Sequence, residues 1–188
     1  SWTNTNVDSS AGGSGYYSSL AIDSNNYPHI SYYAGSGVLK HAYKDGTGWH
    51  IETLASVGNT SSVPSSITIN QTNGDVHISF FDNTSNNKKM RYITKTGGVW
   101  QSSEIIENLT SSYRADNSIA LDSNGYPHIS YYEPYATLDL KYAYKDGTGW
   151  HKETLDSTGD VGAYNSITIN QTNNDVHISY QDVTNTNL

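Results

Sequence analysis

The stretch Ser118-Ile119-Ala120-Leu121-Asp122-Ser123-Asn124-Gly125-Tyr126-Pro127-His128-Ile129-Ser130-Tyr131-Tyr132 decides how the chain folds. It holds two short runs rich in Ile, Leu and Tyr, separated by Asp-Ser-Asn-Gly. β-Branched and aromatic residues suit a pleated strand, and the intervening residues are turn chemistry. The stretch therefore reads as a hairpin of strand a (Ser118–Asp122) and strand b (Pro127–Tyr132). Further along, Leu140–Lys145 (c) and Trp150–Leu155 (d) form a second pair around Asp146-Gly147-Thr148-Gly149. The apolar residues never recur at helical spacing, so no helix is expected.

The same unit recurs along the chain. Strand a reappears as Leu20-Ala21-Ile22-Asp23, Ile67-Thr68-Ile69-Asn70 and Ile167-Thr168-Ile169-Asn170. His-Ile-Ser opens at His29, His77, His128 and His177, and tryptophan stands at Trp2, Trp49, Trp100 and Trp150. Four short antiparallel strands in each period of about fifty residues are the signature of a β-propeller blade. The expected blades are 18–55, 65–106, 117–155, and 165–188 with strand 2–8, in one all-β propeller domain or part of one. Blade sheets are covered on both faces, which fits runs such as His128–Tyr132 that alternate poorly between apolar and polar. A two-layer sandwich is the alternative fold, but it would not require repeats this similar. Units one and three share Tyr-Pro-His-Ile-Ser-Tyr-Tyr, and units two and four share Ile-Thr-Ile-Asn-Gln-Thr-Asn, so the larger period is a pair of blades.

Composition narrows the function classes. Only 15% of the 188 residues are charged and the net charge is −8. Such a surface repels phosphate backbones, so nucleic acid is not an expected partner. The chain has no cysteine, which excludes disulfides and thiolate zinc sites. No apolar run reaches the length of a membrane span, so membrane insertion is not expected. Abundant Tyr, Ser, Thr, Asn and Gly suit an extracellular or cell-surface setting.

The c–d turn Lys145-Asp146-Gly147-Thr148-Gly149-Trp150 is repeated at Lys44–Trp49 and, degraded, at Lys95–Trp100. It resembles the Asp-box of sialidase-like propellers, with the spacing one residue short. The whole repeat looks like those of bacterial and archaeal secreted or surface propellers. The resemblance implies the fold and leaves the activity open, because fold does not fix function.

His29, His77, His128 and His177 occupy one equivalent position in every blade, so they cannot converge on one metal ion; a packed, hydrogen-bonded role is expected. Asp23, Asn70, Asp122 and Asn170 end the innermost strands, where they either cap their own turns or ring the axis with cation ligands; capping is expected. Sialidase chemistry needs an arginine cluster, and the only arginines are Arg91 and Arg114. Glu52 and Glu153 fall on outer strands, and nothing shows that Glu133 and Asp116 face each other as a glycosidase pair would. No catalytic constellation and no cofactor are expected.

Comparing the repeats loop by loop is more informative. The a–b turns are stereotyped, whereas the d–a and b–c loops differ freely, and in a propeller those two loop classes share one face. Variable loops on a rigid scaffold are where binding residues concentrate. That face offers Tyr16, Tyr17, Tyr113, Arg114, Glu133, Tyr135, Asp160 and Tyr164 as ligand-binding candidates. The expected function is a non-enzymatic binding or adhesion module for a glycan or a surface protein. The alternatives are a structural repeat without a specific ligand and a glycoside-active enzyme. Trp2 aligns with the tryptophans that open strand d, and Leu188 aligns with Leu39 and Leu140, which open strand c. These residues are therefore expected to be part of a longer chain or assembly, with a missing piece resembling Lys141–Gly149.

Overall fold

The computed structural model describes residues 2–10, 15–35, 37–58, 64–84, 88–109, 116–133 and 137–188. Blade one comprises β1 (Tyr16–Ile22), β2 (Pro28–Ala34), β3 (Val38–Asp45) and β4 (Gly48–Ser56). Blade two comprises β5 (Ser65–Ile69), β6 (Val76–Asp82), β7 (Lys88–Thr96) and an outer strand in two pieces, β8 (Val99–Trp100) and β9 (Glu104–Leu109). Blade three comprises β10 (Asn117–Leu121), β11 (Pro127–Glu133), β12 (Asp139–Asp146) and β13 (Gly149–Asp156). Blade four consists of β14 (Val161–Ile169) and β15 (Val176–Asp182). Neighbours in sequence pair antiparallel within each sheet, which makes the chain an all-β propeller, as the repeats predict.

The turns follow from local chemistry. Asp122 Oδ1 accepts the N–H groups of Asn124 and Tyr126, and Asp23 Oδ1 those of Asn25 and Tyr27. Asn70 and Asn170 cap Thr72 and Thr172 in the same way. The four side chains at the ends of the innermost strands are therefore spent on their own turns. Each turn also needs one left-handed residue, filled by Asn26, Gly74, Gly125 and Asn174, the residue types that bear a positive φ most cheaply.

Blades stack by strand a on strand a, and one set of contacts recurs. Ser19, Ser66 and Ser118 each accept, through Oγ, the N–H of the next blade's Ile67, Ile119 and Ile167, all at 3.2 Å. Ser31, Ser79 and Ser130 on strand b each meet a side chain of the next strand a, namely Ser65, Asn117 and Asn165. Farther out, Glu52 accepts from Lys95 Nζ at 2.7 Å and Trp100 Nε1 at 3.0 Å. Glu104 repeats this with Lys145 at 2.6 Å and Trp150 at 2.9 Å. The Ile, Tyr, Phe and Leu side chains between these polar points form the main core, which runs through blades one to three.

The histidines of the His-Ile-Ser triplets sit inside this stack in three blades. His77 Nδ1 meets the Tyr92 hydroxyl at 2.6 Å, and His128 Nδ1 meets that of Tyr142 at 2.5 Å. Blade one has His41 at the tyrosine position, giving a His29 Nδ1 to His41 Nε2 contact of 3.0 Å and a His41 Nδ1 to Glu52 contact of 3.0 Å. His177 departs from the expected packed role. It is exposed, because no third strand covers it.

The fourth sheet contains β14 and β15 only, and residues 2–8 form no strand in it. Residues 2–6 are exposed, and Asp8 meets blade one, its Oδ2 accepting from the Tyr32 hydroxyl at 2.8 Å and from Lys40 Nζ at 2.9 Å. A strand d pairs through strand c. Without that partner its backbone groups find no ladder, and only the side-chain contacts to the next blade remain.

Two predictions follow from the stacking. Glu52→Ala strands Lys95, Trp100 and His41, and it should lower stability by about 2–4 kcal/mol in chemical denaturation. Glu153→Ala, at the equivalent position with no such partners among the described residues, should stay within about 0.5 kcal/mol of the parent; equal losses in the two variants would refute the assignment. The second concerns acid. Burial, the largest cause, holds both His41 and His77 down to about 4, against 6.5 for a free imidazole; at His41 the Glu52 hydrogen bond opposes it only in part. The unfolded chain therefore binds the extra protons first, and stability should fall as pH drops from about 6.5 to about 4, by up to about 1.4 kcal/mol per pH unit for each histidine. His41→Tyr, which copies blades two and three, should flatten that decline in thermal melts; an unchanged slope would count against it.

Candidate functional site

The described ends of the d–a and b–c loops share one face, and backbone hydrogen bonds lace them together there. Val57 N–H donates to Gly37 O and Asn83 N–H to Val57 O; Val161 N–H donates to Leu138 O and Val183 N–H to Asp160 O. The approach is close enough that a Cβ on Gly58 would lie 2.5 Å from Asn83 O, so no side chain fits. The bonded ends form a fixed base.

Five of the eight candidate residues lie on this base. Tyr113, Arg114 and Tyr135 fall outside the described residues. Tyr17 and Tyr164 occupy equivalent bulges in β1 and β14, each with φ of 51°. A bulge re-aims the side chain it carries, and an aromatic residue in left-handed backbone is an uncommon strain. The Tyr164 side chain is largely exposed, at 66%, while its N–H is held by Asp116 Oδ2 of blade three at 3.0 Å. Tyr16 is also exposed, at the start of β1.

The two acidic candidates are buried or engaged. Glu133 is buried, pairs with Lys141 and accepts from Thr137 Oγ1. Lys141 also reaches Glu107 at 3.3 Å, and these two carboxylates raise its pKa against the opposing effect of burial. Asp160 accepts from the Tyr132 hydroxyl at 2.8 Å, and burial followed by this bond pushes the phenol well above its usual range. Both acids thus hold the loop base together. The other three described candidates, Tyr16, Tyr17 and Tyr164, are aromatic, with Tyr17 half-buried and the other two exposed.

Sequence reading missed a ladder of partly buried tyrosine–carboxylate bonds between blades. Tyr32 donates to Asp8, Tyr131 to Glu107 and Tyr180 to Asp156, each crossing from strand b to the outer segment of the preceding unit. At the remaining junction Phe80 stands in the tyrosine position, and strand register places Ala55 where Glu107 and Asp156 stand. Aligning the four units shows that the hydroxyl and the carboxylate are lost together.

The opposite, uniform face opens a cavity of about 810 Å³ near the axis, lined by the a–b turns. Its polar groups are largely engaged. Asn70 and Asp122 cap their turns, and Gln71 and Gln171 donate to Ile22 O and Leu121 O at 2.9 Å. No group of three or more His, Cys, Asp or Glu side chains suited to a metal occurs among the described residues. In the c–d turn Asp146 Oδ1 accepts both the N–H and the Oγ1 of Thr148, at 2.7 and 2.6 Å, and its Oδ2 lies 3.0 Å from His151 Nε2. Asp45, Thr47 and His50 reproduce this, so the Asp-box-like residues close their hairpins.

No protein-family model and no curated protein matches the sequence. Solved structures do. A fucose lectin from Kordia zhangzhouensis in complex with methyl-fucoside superposes with a TM-score of 0.50 at 19% identity, over 72% of this chain and 96% of that one. A triple arginine-to-alanine variant of AofleA from Arthrobotrys oligospora gives 0.64 at 17% identity, over 90% and 52%. The intramolecular trans-sialidase from Ruminococcus gnavus gives 0.53 at 14% identity, over 83% and 36%. The chain thus spans about half of AofleA and about a third of the trans-sialidase. At these identities the likeness is one of fold, and it places sialidase domains and a lectin among the structural neighbours, in keeping with the Asp-box-like turns.

The bulge geometry yields a prediction. Tyr164→Gly relieves a left-handed backbone that costs a non-glycine residue about 1–2 kcal/mol, and it removes little packing. The variant should melt at or above the parent temperature by circular dichroism. A large drop would mean that the ring is a structural element.

Proposed function

We propose that this propeller is a non-enzymatic carbohydrate-binding module that takes its ligand on the d–a and b–c loop face. The observation that carries the reading is the pair Tyr17 and Tyr164, set at equivalent strained bulges on a rigid base. A tyrosine ring offers an apolar face to the C–H side of a sugar and a hydroxyl to its rim, at little entropic cost. The Kordia lectin, bound to methyl-fucoside on a similar fold, supports a glycan as the ligand class. The composition supports an extracellular or cell-surface setting for such binding. A binding role also fits the carboxylates of this face, since Glu133 and Asp160 are committed to Lys141 and Tyr132.

The test is a glycan array probed with the soluble chain and with a Tyr17→Ala/Tyr164→Ala variant. The parent should retain a defined set of glycans, and the double variant should lose at least about tenfold in affinity while keeping its melting temperature. Retention of no glycan, or equal binding by both proteins, overturns the reading.

A further inference from the structure

Each internal blade is covered on both sides, and the two end blades are not. The leading side of strand a carries Leu20 and Ile22 in blade one, 62% and 44% exposed. The equivalent Ile67, Ile119 and Ile167 are 5%, 6% and 7% exposed, because the preceding blade covers them. The trailing side of blade four is open in the same way, with Ser166, Thr168 and Ser179 exposed. The innermost strands pack in succession, β1 on β5, β5 on β10 and β10 on β14, with no comparable contact between β14 and β1 among the described residues. Among the described residues the chain is an arc whose two ends are uncovered along the inner strands, with Asp8 reaching only the outer part of blade one's leading side.

The uncovered ends match each other. Ser166 is the equivalent of Ser19, Ser66 and Ser118, whose Oγ atoms accept the next blade's strand-a N–H. Leu20 is the equivalent of the three residues that supply that N–H. Ser179 is the equivalent of Ser31, Ser79 and Ser130, and Ser18 of the Ser65, Asn117 and Asn165 side chains they meet. Leu20 and Ile22 present on the leading side of blade one the same apolar step that Ile67 and Ile69 of blade two present to blade one. The inner half of a fourth blade-to-blade junction is thus present in one chain, divided between its two ends.

We propose that the trailing face of blade four docks onto the leading face of blade one of a second copy of this chain, head to tail. Such a contact is heterologous and propagates until it closes a ring or extends a filament. The site on the second copy is made of the same atoms that hold the three internal junctions, which is why another blade of this repeat is the occupant argued for. Burial of Leu20 and Ile22 supplies the apolar drive, and the serines fix the register.

Sedimentation velocity over a wide concentration range tests this. The 188-residue chain should exceed 20.6 kDa and grow with concentration. Leu20→Arg blocks the leading face and Thr168→Arg the trailing face; both positions are exposed, so each variant should fold with the parent's circular dichroism. Each alone should sediment as a monomer, since every junction needs both faces. An equimolar mixture should form dimers and nothing larger, because only one intact junction is available per pair. A parent chain that stays at 20.6 kDa throughout overturns the proposal. Single variants that still assemble, or a mixture that stays monomeric, overturn it as well.

Discussion

Everything in this molecule depends on a blade being covered on both faces. A small twisted sheet with Ile, Tyr and Leu on each side has no stable existence in water by itself. Stacking supplies the missing cover, and the repeat makes stacking possible by presenting the same side chains at the same height in every unit. The serines of strands a and b act as pegs. They meet the polar groups that stacking would otherwise bury unpaired, and they set how far one blade slides along the next. The Glu52 and Glu104 clusters do this at the outer rim, where lysine and tryptophan arrive together from the following hairpin.

Much of this was legible in the sequence because it is local. Asp122-Ser123-Asn124-Gly125 announces its turn by chemistry alone, and the structure uses Asp122 and Gly125 in those roles. The equivalent position of the four histidines pointed to a packed role, and three of them pack against a ring on the adjacent strand. Less legible was anything set by distant partners. Glu133 reads as a loop acid, yet Lys141 draws it into the base of the loops. Residues 2–8 carry the pattern of strand d, yet pattern cannot supply the neighbour a strand needs, and the segment keeps only its Asp8 contacts with blade one. The bulges at Tyr17 and Tyr164 leave no trace in composition; they emerge only where strand register slips.

The two faces of the propeller divide the work. On the a–b side the side chains are locked into caps and into bonds between adjacent blades, and evenness there keeps the stack regular. On the d–a and b–c side a chain of backbone bonds holds the described loop bases, while the loop sequences differ from blade to blade. A base held in this way lets loop sequences vary without disturbing the core.

The Phe80 and Ala55 junction shows how the blades are keyed to their places. Their backbones are near copies, so by shape alone any blade could follow any other. Their buried edges are not interchangeable. Placing blade two after Glu107 would set a phenylalanine against a carboxylate that has lost its phenol donor. Placing blade three after Ala55 would bury a hydroxyl with no acceptor. Either rearrangement leaves a polar group stranded in the stack. Blade order is therefore written into the chain one junction at a time, and recombination between repeats is penalised even where the folds coincide. The two-blade duplication has itself diverged here, since Tyr180 in the fourth unit meets Asp156 where Phe80 in the second meets Ala55.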